Sequence, residues 1–129
     1  MKKRRDTGAR RKRLVEMCTD LPEVTTLVEG RRDEHLAFKV RKKTFGYYLY
    51  DHHGDGRIAL WCKAAPGEQG VLVEKDPKRY FVPPYLGPRG WVGVRLDLGK
   101  VDWGAIGFLV GMAYRMSAPR TLLARLESP

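Results

Sequence analysis

The chain has 129 residues, 43% hydrophobic and 31% charged, with 25 Lys and Arg against 15 Asp and Glu and a formal net charge of +10. That length fits one domain with a sizeable core, and the charge excludes an acidic substrate mimic. Eight of the cations and one acid, Asp6, fall in residues 1–13, so the basic character belongs mainly to an N-terminal arm and only mildly to the folded body.

Residues 1–8 are expected to form a disordered basic arm, because like charges repel and nothing apolar is available to bury; residues 9–129 are expected to form a single domain. Leu14, Val15, Met17, Cys18 and Leu21 make one stripe of an amphipathic helix that should end before Pro22. From Glu34 the period becomes two. Leu36, Phe38 and Val40 alternate with Ala37 and Lys39, and Phe45, Tyr47 and Leu49 alternate with Gly46, Tyr48 and Tyr50. A tight turn near Arg41 to Lys43 joins these two strands. Residues 51–56, rich in Asp, His and Gly, predict a turn with positive φ, followed by a strand in which Ile58, Leu60 and Cys62 alternate with Ala59, Trp61 and Lys63. The three strands predict an antiparallel meander.

Glu68 to Lys75, ended by Asp76-Pro77, reads as a short helix, although Val71-Leu72-Val73 is equally compatible with a strand. After a proline-rich segment, Val92, Val94, Leu96 and Leu98 alternate with Trp91, Gly93, Arg95 and Asp97. Asp102 should cap a helix with a core stripe of Ile106, Leu109, Val110, Ala113 and Met116, and a last helix should run from about Pro119 to Leu126. The fold class expected is α+β, one antiparallel sheet with helices packed on one face.

Cys18 and Cys62 are too few for a disulfide framework and lie in no metal-binding spacing, so both read as buried thiols of a reduced, cytoplasmic protein. The uncharged stretch Trp103–Tyr114 is too short to span a bilayer, and no secretory h-region is present. No nucleophile elbow, phosphate-binding Gly loop, HExxH motif or Cys beside a His occurs, so no catalytic residues are nominated and no cofactor is expected. His52 and His53 with Asp51 and Asp55 supply ligand atom types, but adjacent histidines on a turn rarely converge on one ion; no metal site is assigned.

The segments Leu21-Pro22, FKVRKKTF (Phe38 to Phe45), DPKRYFVPPYLGPRGWVGVRLD (Asp76 to Asp97), VDW (Val101 to Trp103) and AYRMSAP (Ala113 to Pro119) resemble the MmcQ/YjbR-like proteins, from about residue 14 to 125. The resemblance implies a frataxin-like (CyaY-like) fold and a DNA-binding role through wing-like hairpins. It places the family's hairpin lysine at Lys43 and its turn-and-strand cluster at Tyr85, Gly87, Arg89, Gly90 and Trp91. Lys42 stands where the family commonly has a glycine, which predicts strain or another turn type there. An iron-binding role, which the fold name suggests, is opposed by a first helix that is basic where a cation site needs carboxylates.

Strand parity gives a separate expectation. If Phe38, Tyr47, Leu60 and Val94 face the helices, then Lys39, Tyr48, Tyr50, Arg57, Trp61, Lys63, Trp91 and Arg95 share the other face. Aromatics between cations form a platform on which bases stack while Lys and Arg neutralise phosphate; such aromatics also serve simply as cross-strand neighbours. The expected function is a nucleic-acid-binding module, DNA in preference to RNA, of low sequence specificity. Arg41, Lys42, Lys43, Lys63, Arg89 and Arg95 would neutralise phosphates, Tyr48, Trp61 and Trp91 would stack or wedge, and Tyr85 is a further candidate contact. Lys78 and Arg79 are further candidates for clamping a backbone. No membrane partner is expected, and the chain reads as a monomer or weak homodimer. The alternative is a non-catalytic adapter that uses the same aromatic face for protein interaction or self-association.

Overall fold

The computed structural model describes residues 7–29 and 35–127; residues 1–6 of the expected arm lie outside the described residues. Four helices and six strands follow in the order α1 (Thr7–Thr19), β1 (Val24–Glu29), β2 (His35–Val40), β3 (Lys43–Tyr50), β4 (Ile58–Cys62), α2 (Glu68–Lys75), β5 (Tyr80–Phe81), β6 (Val92–Arg95), α3 (Trp103–Ser117) and α4 (Arg120–Glu127). The strands make one sheet in the order β1-β2-β3-β4-β6-β5, every neighbour antiparallel. The α+β class and the meander of β2, β3 and β4 are thus as the alternation predicts. Strand β1 has no counterpart in the expectations, since only Val24 of it is even partly buried and an exposed edge strand lacks a two-residue apolar rhythm.

On the helix side of the sheet, Leu36, Phe38, Val40, Ile58, Leu60, Val92, Val94 and Leu96 meet Leu14 and Cys18 of α1, Ile106, Leu109, Val110 and Tyr114 of α3, and Leu122 of α4. The Tyr114 ring packs edge-on to Phe45, and its hydroxyl donates to the Pro22 carbonyl at 2.7 Å, so this fully buried side chain keeps its polar end satisfied. The α3 stripe differs at one position from that expected: Met116 is exposed, and Tyr114 and Ser117 are buried in its stead. Asp102 caps α3 as predicted, its Oδ1 accepting from the Ala105 N–H at 3.0 Å. Residues 68–75 resolve as helix α2; they follow Gly67 in the left-handed region (φ 84), which turns the chain away from β4.

Three arginines of α1 are structural. Arg10 donates to the carbonyls of Leu96, Leu98 and Gly99, tying the helix to the chain after β6. Arg11 lies over the Tyr48 ring and Arg13 over Trp103. Hydrogen bonds from a charged donor contribute about 1.5–3 kcal/mol each, so Arg10 holds the fold and is not part of a free arm.

The sheet register shifts between Phe38 and Lys39: Phe38 pairs Gly46, Lys39 pairs Thr44, and Phe45 is the extra residue of a β-bulge. Phe45 still faces the helices, but beyond it the parity of β3 is reversed. Tyr48 and Tyr50 face the helices, and Tyr47 and Leu49 face outward. The expectation for β3 was therefore inverted. For β4 and β6 it holds, since Ala59, Trp61 and Trp91 cluster on the outer face.

Candidate functional site

The β2–β3 hairpin closes on the pair Val40 and Lys43, leaving Arg41-Lys42 as its turn. The left-handed residue is Arg41 (φ 56), not Lys42. Its guanidinium grips Glu23 with two bonds, Nε to Oε1 at 2.6 Å and Nη2 to Oε2 at 3.1 Å, and Arg125 of α4 reaches the same carboxylate at 3.4 Å. These partners, the Arg41 hydrogen bond foremost, hold the Glu23 carboxyl below its usual range. Arg41 thus ties the hairpin turn to the α1–β1 loop, a correction to its expected place among phosphate contacts. Lys42 stays exposed at the tip.

Behind the hairpin lies a groove of about 590 Å³ lined by Lys43, Lys63 and Arg89, with Tyr47, Leu86, Trp91 and Met116 among its walls. Each cation arrives from a different element. Lys43 opens β3, Lys63 follows β4 on the outward parity of Ala59 and Trp61, and Arg89 ends the short 3-10 turn Gly87–Arg89. Gln69 of α2 fixes that turn by donating its amide to the carbonyls of Gly87 and Trp91, at 2.9 and 2.6 Å. Among the described residues no carboxylate lines the groove. Burial first, and then the like charges of Lys43 and Arg89, hold Lys63 below the ordinary lysine value. Donors converging without a counter-ion suit an anion whose arrival relieves that repulsion, and phosphate oxygens are such acceptors.

The expected aromatic platform is closed within the chain. Tyr48 is 2% exposed and on the helix side, because the bulge at Phe45 turned it inward. Trp61 and Trp91 do lie on the outer face, but at 3% and 6% exposure. His52 stands edge-on to Trp61 at 5.0 Å, and Tyr47 covers Trp91 at 5.8 Å. These three rings cannot stack on bases, a correction to their assigned roles. The Trp61 indole N–H is buried without an acceptor. Tyr85 alone of the nominated aromatics is open, 79% exposed and in a left-handed conformation (φ 64). Tyr47, Leu86 and Met116 were missed: Tyr47 for want of the bulge, Leu86 inside a proline-rich loop, and Met116 because its spacing read as core.

At the far end of the outer face Arg95 is joined to Asp97 by two bonds, Nε to Oδ1 at 3.0 Å and Nη2 to Oδ2 at 2.9 Å, rather than standing as a free cation. It borders a second, smaller pocket of about 270 Å³ with Arg57, Lys78 and Phe81. Arg79 is held by Asp76 and Asp102 at 3.6 and 3.8 Å. On the predicted turn, Asp51 (φ 49), His53 (φ 51), Gly54 and Gly56 take positive φ as expected. Among the described residues no group of three or more His, Cys, Asp or Glu is placed to hold a metal. Cys18 and Cys62 are free and buried, and burial pushes the Cys62 thiol up to about 12, so it is no thiolate nucleophile.

A six-stranded antiparallel sheet with helices on one face and a cationic groove at one end of the sheet define the class of protein. The YjbR family model matches residues 19–116, and the chain belongs to that family. It is similar to the crystal structure of Deinococcus radiodurans protein DR2400, which carries a DUF419 domain: 26% identity, TM-score 0.66, over 81% of this chain and 75% of that one. No curated protein matches this sequence. Among the described residues no helix is long and apolar enough to cross a membrane.

Proposed function

We propose that this chain is a cytoplasmic nucleic-acid-binding module with a CyaY-like sheet, which takes the phosphate backbone, DNA in preference to RNA, in the groove of Lys43, Lys63 and Arg89. The observation that carries this reading is the convergence of three cations from three elements on one groove without a carboxylate in its lining. Lys42 at the exposed tip adds charge, and Tyr85 offers an open ring for an unpaired base. The contacts assigned to the groove are to phosphate, which carries no sequence information, so binding is expected to be of low sequence specificity.

The test is fluorescence anisotropy of labelled duplex DNA, single-stranded DNA and RNA against the full chain at several salt concentrations. The triple variant Lys43→Ala, Lys63→Ala, Arg89→Ala is expected to bind duplex at least about ten-fold more weakly and to lower the salt slope by about 3. Unchanged affinity in that variant would overturn the reading. Affinity that barely responds to salt would favour an adapter, on the exposed Phe108 and Met116 of α3 rather than on the aromatic sheet face expected, whose tryptophans are buried.

A further inference from the structure

We propose a second phosphate-contact site at the opposite end of β4, formed by Arg57, Lys78 and Arg95 around Phe81, so that one nucleic-acid backbone runs the length of that strand. The inference rests on the reading above and extends it from a groove to a path. Its basis is register. Along β4, Arg57, Ala59, Trp61 and Lys63 share the outward parity, and β6 brings Arg95 opposite Ala59 and Gly93 opposite Trp61. Lys63 therefore opens on one cationic pocket and Arg57, at the other end of the row, on a second.

The second pocket is built. The Arg57 guanidinium lies 4.0 Å over the Phe81 ring, which fixes its plane and leaves its N–H edges free for an anion. Phe81 in turn lies across Gly93, where a Cβ would come within 2.4 Å of its ring carbons. Asp97 holds Arg95 by Nε and Nη2, leaving Nη1 for an external acceptor. Lys78 is exposed and completes three cations, against Asp97, which orients Arg95, and Asp55, which accepts from the Arg57 backbone N–H and whose charge also reaches Arg95.

Spacing identifies the ligand as a polyanion and not a lone phosphate. Six residues of strand separate Arg57 from Lys63, about 20 Å at roughly 3.4 Å each. Along a duplex axis that distance covers about six base pairs. Between the two ends, Phe81, Trp61 and Trp91 give a closed apolar floor, which a bridging backbone crosses without entering it.

The experiment compares DNA hairpins with stems of about 12 and about 4 base pairs, the longer able to reach both pockets and the shorter only one. Anisotropy titrations use the full chain, the pair Arg57→Gln with Lys78→Gln, and the groove pair Lys43→Ala with Arg89→Ala. The Arg57/Lys78 pair is expected to lose about ten-fold in affinity for the long hairpin, with a salt slope lower by about 2, and to bind the short one as the unaltered chain does. If the long hairpin binds that pair unchanged while the groove pair loses it, the second site is wrong and the groove reading stands. If neither pair loses affinity, both fail. The unaltered chain gives a check that needs no variant: equal affinity per binding register for the two stems overturns the path.

Discussion

Tyr85 combines two properties that rarely meet, a bulky aromatic at positive φ and nearly full exposure. The left-handed backbone costs a non-glycine residue about 1–2 kcal/mol, and an exposed ring recovers little of that by packing. Tyr85→Gly is therefore expected to stabilise the fold by up to about 1 kcal/mol in denaturant melts while weakening single-stranded DNA by the about 1–3 kcal/mol of a lost stack; equal single-strand affinity would show that the ring takes no part. His52 carries a pH dependence. Burial first, and then the charges of His53 and His35, hold it below its ordinary value, with Asp55 opposing. The folded chain then binds that proton more weakly than the unfolded one, so stability is whole above the ordinary histidine value and declines as pH falls through it. Tm at about pH 5.5 should lie below that at about pH 7.5, and His52→Gln should narrow the gap; an identical gap in the variant would assign it elsewhere. At Trp61 the orphan indole N–H predicts that Trp61→Phe stays within about 1 kcal/mol of the parent, whereas Trp61→Ala loses about 3–5 kcal/mol.

At the scale of elements, the crossing of Phe81 over Gly93 is the tightest fit on the outer face. Gly93→Ala would force that ring aside and is expected to cost about 1–3 kcal/mol in a chemical melt, with Arg57 displaced along with its support. Most elements were legible because their signals are local: Asp102 before α3, Asp76-Pro77 after α2, and the period-two runs of β2, β4 and β6. The candidate site was legible in part. Lys43, Lys63 and Arg89 could be named, but which face β3 gives to which tyrosine depends on one supernumerary residue that no pattern within the strand marks. Arg41 was misjudged for a different reason. Its partner Glu23 is an ordinary acid, and only the folded chain brings it across to the hairpin.

For the whole molecule, the distribution of charge matters more than its sum. Of the cations in α1, Arg10 clamps the carbonyls after β6 and Arg13 covers Trp103. A chain starting at Leu14 is thus expected to melt below one starting at Thr7, and a loss of binding on removal of residues 1–13 would report damage to the fold together with loss of charge. A calorimetric comparison of the two chains checks this. The bulge at Phe45 also bears on heredity. One in-frame triplet sets which tyrosines of β3 the chain shows to its surroundings and which it hides, so a lineage that lost that codon would exchange the two at a single step. Sequences aligned through this strand without a gap would then match inner residues to outer ones, and a tyrosine shared by column would not be a tyrosine shared by place.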